Sequence, residues 1–389
     1  MIRYLGGLIY IIALFIIADL SVGYVLNDSV AYICKDPVLH HKYCPGSTRT
    51  YNMVEEDGGN TFESYWNQSS IQVQHINEKN STTNFENYDH ILISDSFGAQ
   101  RQVAYEDSMS AIMNAQEINT VQVGAGSWNF LSYHNFILSE QFKPGATIHI
   151  LLMANDFYSR YGGSIRNYYR FSEIKEGIIR WPNREETTRD TFKRFLSNFS
   201  FVYQNFALKQ SKSNIADGTH TNTFIDVDSN VTSADCKALK NNKGKLLPLA
   251  ESLLMHAYSK NCYDNNLLEN IEISQTLLQN IEKYSKDNNV NIMWYFMPNG
   301  TFAEDEVPFF KAAYGLHAKS KITSLGISKE LARALGKDLP NFETSFTKYK
   351  HENPNDILYY PYDGHLNARG SRIAALAIIR RINEQNKSK

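Results

Sequence analysis

Three short apolar runs, each closed by a polar turn, constrain this chain more than any other feature. His90-Ile91-Leu92-Ile93 ends in Ser94-Asp95-Ser96-Phe97-Gly98. Thr120-Val121-Gln122-Val123 ends in Gly124-Ala125-Gly126. Thr147 to Met153 ends in Ala154-Asn155-Asp156. Runs this short and apolar read as buried strands. Behind the first turn Val103, Met109, Ile112 and Met113 recur at roughly helical spacing, and behind the second Phe130, Leu131, Phe136 and Ile137 do the same. The alternation predicts an α/β fold, with a mainly parallel sheet and helices on its faces. Ligands of such sheets collect at the carboxyl ends of the strands, where all three turns fall. The strand pattern returns at Val290–Met297 and is closed by Pro298. A last helix is predicted from near Asn367 or Gly370, with Ile373, Leu376, Ile378 and Ile379 on its apolar side.

The N-terminus sets the compartment. Tyr4 to Leu26 is an apolar run of about 22 residues, long enough to cross a bilayer as a helix. Arg3 precedes it, which places the N-terminus in the cytoplasm and the remainder outside. Asp19, its one charge, lies toward the outer end, within reach of the headgroups. The reading is an uncleaved signal anchor over residues 1–28. A cleaved signal peptide is the rival: Leu8–Ala18 suits one, but no clear A-x-A site follows. Mean hydropathy is -0.41, which excludes a polytopic membrane protein. Lys+Arg 39 against Asp+Glu 41 leaves no basic excess to neutralise a phosphate backbone, so nucleic acid is not expected as a partner. The four cysteines fit an oxidising compartment. Their simplest pairing is Cys34–Cys44 and Cys236–Cys262, one of three connectivities. His40 and His41 inside the first pair match no standard zinc spacing, and a disulfide loop is the simpler reading. No metal or organic cofactor is implied.

Residues 29–88 are polar and irregular and read as a stalk or wrapping segment. The core is expected over 89–158 and 288–389. Between them, 159–287 reads as an insertion. It opens with Arg160, Arg166, Tyr168, Tyr169 and Arg170, and carries helical patterns over Arg189–Lys209 and from Leu246 to about Lys286. The Arg/Tyr cluster is either a solvated face or a clamp for an anionic or sugar substrate.

Four short blocks stand in order at strand exits and a helix entry: the Ser96 turn, a Gly turn, an Asn turn and a terminal Asp/His turn. Their pattern resembles the SGNH (GDSL-like) hydrolase superfamily over about 90–160 and 290–382. In that family the first block is Gly-Asp-Ser with the nucleophile on Ser. Here it is Ser94-Asp95-Ser96, so the resemblance gives that role to Ser96, with Ser94 in place of Gly. The second block supplies a Gly N–H to the oxyanion; Gly126 is the nearer match and Gly124 the alternative. The third, Gly-x-Asn-Asp, reads Met153-Ala154-Asn155-Asp156, keeping the Asn and losing the Gly. The last is Asp-x-x-His in most members. Here Asp363-Gly364-His365 is one residue shorter, as in some O-acyltransferase-like relatives. The implied fold is a three-layer α/β/α sandwich of flavodoxin-like type.

Each block alone has an ordinary use. Ser96 could be a helix N-cap, Asn155-Asp156 and Asp363-Gly364 turns, and Asn367 the cap of the last helix. Together they supply one chemistry. A serine hydroxyl needs a base, and His365 would take its proton and return it to the leaving alcohol. Asp363, or a backbone carbonyl in its place, would hold the imidazole tautomer. The Ser96 and Gly126 N–H groups and the Asn155 side chain would surround the oxyanion, aided by the dipole of the helix behind Ser96. Asp95, Asp156 and His134 lie near in sequence and read as packing or turn residues. The expectation is a serine esterase acting on an ester-bearing envelope glycan or lipid. An O-acyltransferase of a surface polysaccharide and a non-catalytic glycan-binding protein on the same fold are the alternatives.

Overall fold

The apolar runs pair with one another as parallel strands. The computed structural model describes residues 13–22, 33–36, 38–52, 61–100, 102–126, 128–153, 156, 173–175, 178–180, 265–297, 332, 335–337, 339–340, 342–360 and 365–388. In chain order the strands and helices are β1 (Ile33–Asp36), β2 (His40–Tyr43), β3 (Thr48–Asn52), β4 (Thr61–Trp66), β5 (Gln72–Val73), β6 (His90–Ser94), α1 (Ser96–Ala99), α2 (Met109–Asn114), β7 (Thr120–Gly124), α3 (Phe130–Ser139), β8 (Thr147–Leu152), β9 (Glu173–Lys175), β10 (Ile178–Arg180), α4 (Asn265–Asp287), β11 (Asn291–Phe296), α5 (Glu343–Glu352) and α6 (Ala368–Ser388).

The central sheet has the order β11-β8-β6-β7, with every pair parallel. Ile91, Leu92 and Ile93 of β6 and Ile148, Ile150, Leu151 and Leu152 of β8 are buried, which is why these strands lack polar alternation. α3 packs on α4, and α6 on α2 and α5. Neighbouring residues of β11 meet different cover. Trp294 stacks on Phe130 of α3 with ring centroids 5.6 Å apart, and Tyr295 stacks on Phe342 at 5.4 Å. Successive strand residues point to opposite faces, so both faces of the sheet are covered. β6 comes first of the four in sequence yet lies between β7 and β8. The chain leaves it on one side and returns on the other, and such a reversal opens a crevice at the strand's carboxyl end. The Ser94–Gly98 turn stands there.

The described residues between 33 and 88 carry more regular structure than their composition suggests. β1 and β2 form an antiparallel hairpin closed by the Cys34–Cys44 disulfide. β3, β4 and β5 form an antiparallel sheet. Tyr43, Tyr51, Trp66, Ile71 and Phe85 join the main hydrophobic core, so the segment wraps the α/β unit. Asn67 opens an Asn-X-Ser triplet, yet it is buried. Its amide bonds Thr83 Oγ1 at 2.7 Å and its carbonyl accepts from Ser69 and Ile71, which leaves no room for a glycan.

α4 closes the sequence-defined insertion but belongs to the sheet's cover: Ile271, Ile273, Leu277, Leu278 and Ile281 are buried in the core. Of the rest of the insertion only the β9–β10 hairpin is described. The helix expected over Arg189–Lys209, the Arg160–Arg170 cluster, Cys236 and Cys262 lie outside the described residues. So does most of the apolar run Tyr4–Leu26. Residues 13–22 of that run are helical and expose Leu14, Phe15, Ile16, Ile17 and Val22. Among the described residues no helix is long and apolar enough to cross a membrane.

The core holds an unusual polar row. His90 Nδ1 lies 3.0 Å from His149 Nε2, and His149 Nδ1 lies 3.1 Å from the Tyr295 hydroxyl. His149 is fully buried. Burial, and then the neighbouring His90, push its pKa down to about 3. The folded protein therefore keeps His149 neutral where an unfolded chain, with pKa near 6.5, takes up a proton. This contribution is fully present above about pH 6.5 and is lost as the pH falls toward 3, at about 1.4 kcal/mol per pH unit. His149→Phe should flatten the dependence of the urea-derived unfolding free energy on pH between 6 and 4 by about that amount. An unchanged slope would show that His149 does not remain neutral on folding.

Candidate active site

The Ser96 turn is built by its neighbours. Asp95 caps α1, its Oδ1 accepting the Phe97 N–H at 3.0 Å. Capping therefore falls to Asp95, and Ser96 is the first helical residue with its hydroxyl spared. That hydroxyl is half-buried and has no hydrogen-bond partner among the described residues. Ser94, two residues earlier, is spent on structure: its hydroxyl donates to the Leu151 carbonyl at 3.0 Å. A side chain on Gly98 would overlap the Ser94 Cβ, and one on Gly124 the Ser94 carbonyl oxygen. The turn fits the strand ends only with glycine at both positions.

The helix behind Ser96 is shorter than its spacing predicts. α1 is a single turn of four residues, so little helix dipole builds up behind the serine. Gln100 ends it with φ +48°, in the left-handed region that costs a non-glycine residue roughly 1 kcal/mol. Its buried side chain offsets that cost. Oε1 accepts the Met109 N–H at 2.7 Å, and Nε2 donates to the Ser371 hydroxyl of α6. Val103, Met109 and Met113 are buried as expected, but only Met109–Asn114 is α-helical.

The glycine turn supplies the second wall. Gly124 is explained by its approach to Ser94, whereas Gly126 faces Ser96: a Cβ there would stand 3.7 Å from the Ser96 Cβ. Gly126 thus lies against the Ser96 side chain and Gly124 against the Ser94 backbone. The disulfide-closed hairpin grips this turn. His41 Nε2 lies 2.5 Å from the Gly126 carbonyl, the Trp128 ring N–H donates to the His41 carbonyl at 2.7 Å, and the Asn135 amide donates to the Val38 carbonyl at 2.7 Å. A carbonyl only accepts, so His41 carries its proton on Nε2. Its Nδ1, 2.7 Å from His40 Nδ1, must then accept from His40. Burial holds the His41 pKa below the usual histidine range, consistent with a neutral ring.

Under the turn lies a buried acidic pair. Asp156 is fully buried, and one of its oxygens accepts the Met153 N–H at 2.7 Å. Burial, and next the charge of Asp95, push Asp156 well above the usual carboxylate range. The Tyr133 hydroxyl faces Asp156 and Ser94 without a well-aligned bond to either. Asp95 therefore serves as the helix cap, a role the sequence reading gave to Ser96, and Asp156 holds the turn through the Met153 N–H. His134 is a core residue. It contacts the Asn135 side-chain oxygen at 3.1 Å, and burial lowers its pKa to about 4. Asn155 lies outside the described residues.

His365 arrives from the far end of the chain. The segment before α6 closes on itself: Tyr359 bridges Leu366, and the Tyr360 N–H donates to the His365 carbonyl at 2.8 Å. Asn367 Oδ1 accepts the Gly370 N–H at 3.0 Å and so caps α6. Within the closed segment Asp363 lies outside the described residues. The imidazole rests on Phe97, with centroids 4.7 Å apart and planes at 37°. Phe97 adjoins Ser96, so the base candidate sits beside the serine turn. No hydrogen bond joins the Ser96 hydroxyl to the ring. Gln102, absent from the sequence reading, touches the ring instead, with Nε2 3.2 Å from His365 Nδ1. His41 was equally invisible as a neighbour of Gly126. Neither residue stands in a block with a readable spacing.

Ser96, Gly126 and His365 thus converge at the carboxyl end of β6. Among the described residues no cluster of three or more His, Cys, Asp or Glu side chains suits a metal ion. No known protein family, curated protein or solved structure matches the chain.

Proposed function

We propose that this protein is a serine esterase of the SGNH type, built as a three-layer α/β/α sandwich. The observation that carries the reading is the convergence of residues 96, 126 and 365 on one strand end. Unliganded sites often hold catalytic hydrogen bonds long or unformed. In this mechanism His365 removes the Ser96 proton as Oγ attacks the ester carbonyl. The tetrahedral oxyanion receives hydrogen bonds from the Ser96 and Gly126 N–H groups and the Asn155 side chain. His365 then gives its proton to the leaving alcohol, and water releases the acyl group from Ser96 by the reverse sequence. The resemblance assigns Asp363 to orient the imidazole.

The domain is proposed to work outside the cytoplasm, held by the N-terminal helix and acting on a glycan or lipid ester. The Cys34–Cys44 disulfide supports the compartment, since such bonds persist where the surroundings oxidise. A fluorophosphonate probe tests the chemistry. Covalent labelling mapped to Ser96 is the expected result. A correctly folded protein that resists the probe would instead favour a glycan-binding role on the same fold.

A further inference from the structure

Gln102 occupies a position that a catalytic histidine cannot leave to chance. It is 4% exposed, its backbone carbonyl accepts the Tyr360 hydroxyl at 2.9 Å, and its side chain ends 3.2 Å from His365 Nδ1. With the amide nitrogen toward the ring, Gln102 would donate to Nδ1. The ring proton would then sit on Nε2, the wrong nitrogen if Nε2 is to accept from Ser96. That orientation also leaves Gln102 Oε1 buried and unpartnered. The two ends of an amide are distinguished by their partners, not by shape. Turning the terminal amide by half a circle places Oε1 against Nδ1–H. The proton then lies on Nδ1, His365 Nε2 is left as the acceptor, and the amide nitrogen takes the buried place that Oε1 held.

We infer that Gln102 is a positioning residue for the catalytic base: its side-chain carbonyl accepts Nδ1–H of His365 and fixes the tautomer that can deprotonate Ser96. The inference rests on the esterase reading. On Nδ1, the role the resemblance gives to Asp363 falls to a residue 263 positions away in the chain. The reaction balances as before, since Gln102 neither gains nor loses a proton. Phe97 and Gln102 lie against the ring, and Asp363 is the carboxylate of the same segment.

Three measurements on the full chain test this. The first is the ring nitrogen shifts of His365 by NMR, which should report Nδ1–H in the neutral wild-type protein. The second is Gln102→Leu, which should slow fluorophosphonate labelling roughly ten- to a hundredfold, as losing the outer partner of a functional histidine does. The third is Gln102→Glu, which keeps an acceptor and adds a charge. It should label faster than Gln102→Leu, and its acid limb should move up by about one pH unit or more, because a carboxylate favours the imidazolium. A merely structural Gln102 would leave the pH profile unmoved in both variants. Nε2–H in the spectrum, or an unshifted profile in Gln102→Glu with Ser96 still labelled, overturns the Gln102 assignment alone. A folded wild-type protein that takes no label overturns the esterase reading and this inference with it.

Discussion

Ser96→Ala is expected to abolish covalent labelling and to lower turnover of an activated ester, such as p-nitrophenyl acetate, by on the order of 10^4 to 10^6. The reason lies in what the hydroxyl does and does not hold. Asp95 caps α1, so the variant keeps its helix start. The hydroxyl has no partner among the described residues, so its loss strands no buried donor. The Cβ that faces Gly126 is retained in alanine. Stability should therefore move by no more than about 0.5 kcal/mol, as for a substitution that breaks no named interaction. Ser94→Ala is the control two residues away. It deletes the bond to the Leu151 carbonyl and should cost about 1 kcal/mol of stability while leaving the label in place. A folded Ser96→Ala protein that turns over ester at the wild-type rate would sink the proposal.

The contrast between these serines shows what a sequence can and cannot reveal. β6, β8 and β11 were legible because strands covered on both faces become predominantly apolar runs, β7 because Val121 and Val123 lead into a glycine turn, and such strand–turn junctions mark the carboxyl edge. The blocks carrying Ser96, Gly126 and His365 were legible for the same reason: each sits where a readable element begins or ends. The two small N-terminal sheets were not. Their strands are two to six residues long and only half-buried, as in the mixed exposed and buried pattern of β4, so no period survives. The one-turn length of α1 was hidden because it depends on Gln100, whose left-handed backbone is held by partners in α2 and α6. Glutamine carries no positional signal of its own. Gln100 and Gln102 acquire their roles only when the chain's distant end packs beside them.

His365→Ala should lower turnover by a similar factor, on the order of 10^4 to 10^6, and for a separable reason. The loop that presents the ring is closed by backbone contacts, the Tyr359–Leu366 bridge and the Tyr360 N–H to the residue 365 carbonyl, which alanine preserves. Asn367 still caps α6. What disappears is the ring itself, with its contact to Phe97 and to Gln102. Residual activity should come from the oxyanion donors and binding alone. The double variant Ser96→Ala/His365→Ala is then more informative than either single one. If His365 acts only by activating Ser96, removing it from a protein without that hydroxyl costs nothing further, and the double variant turns over ester at the rate of the single variants. If the two losses multiply, the residues act independently, and the two loops that meet at the end of β6 do not form one catalytic unit.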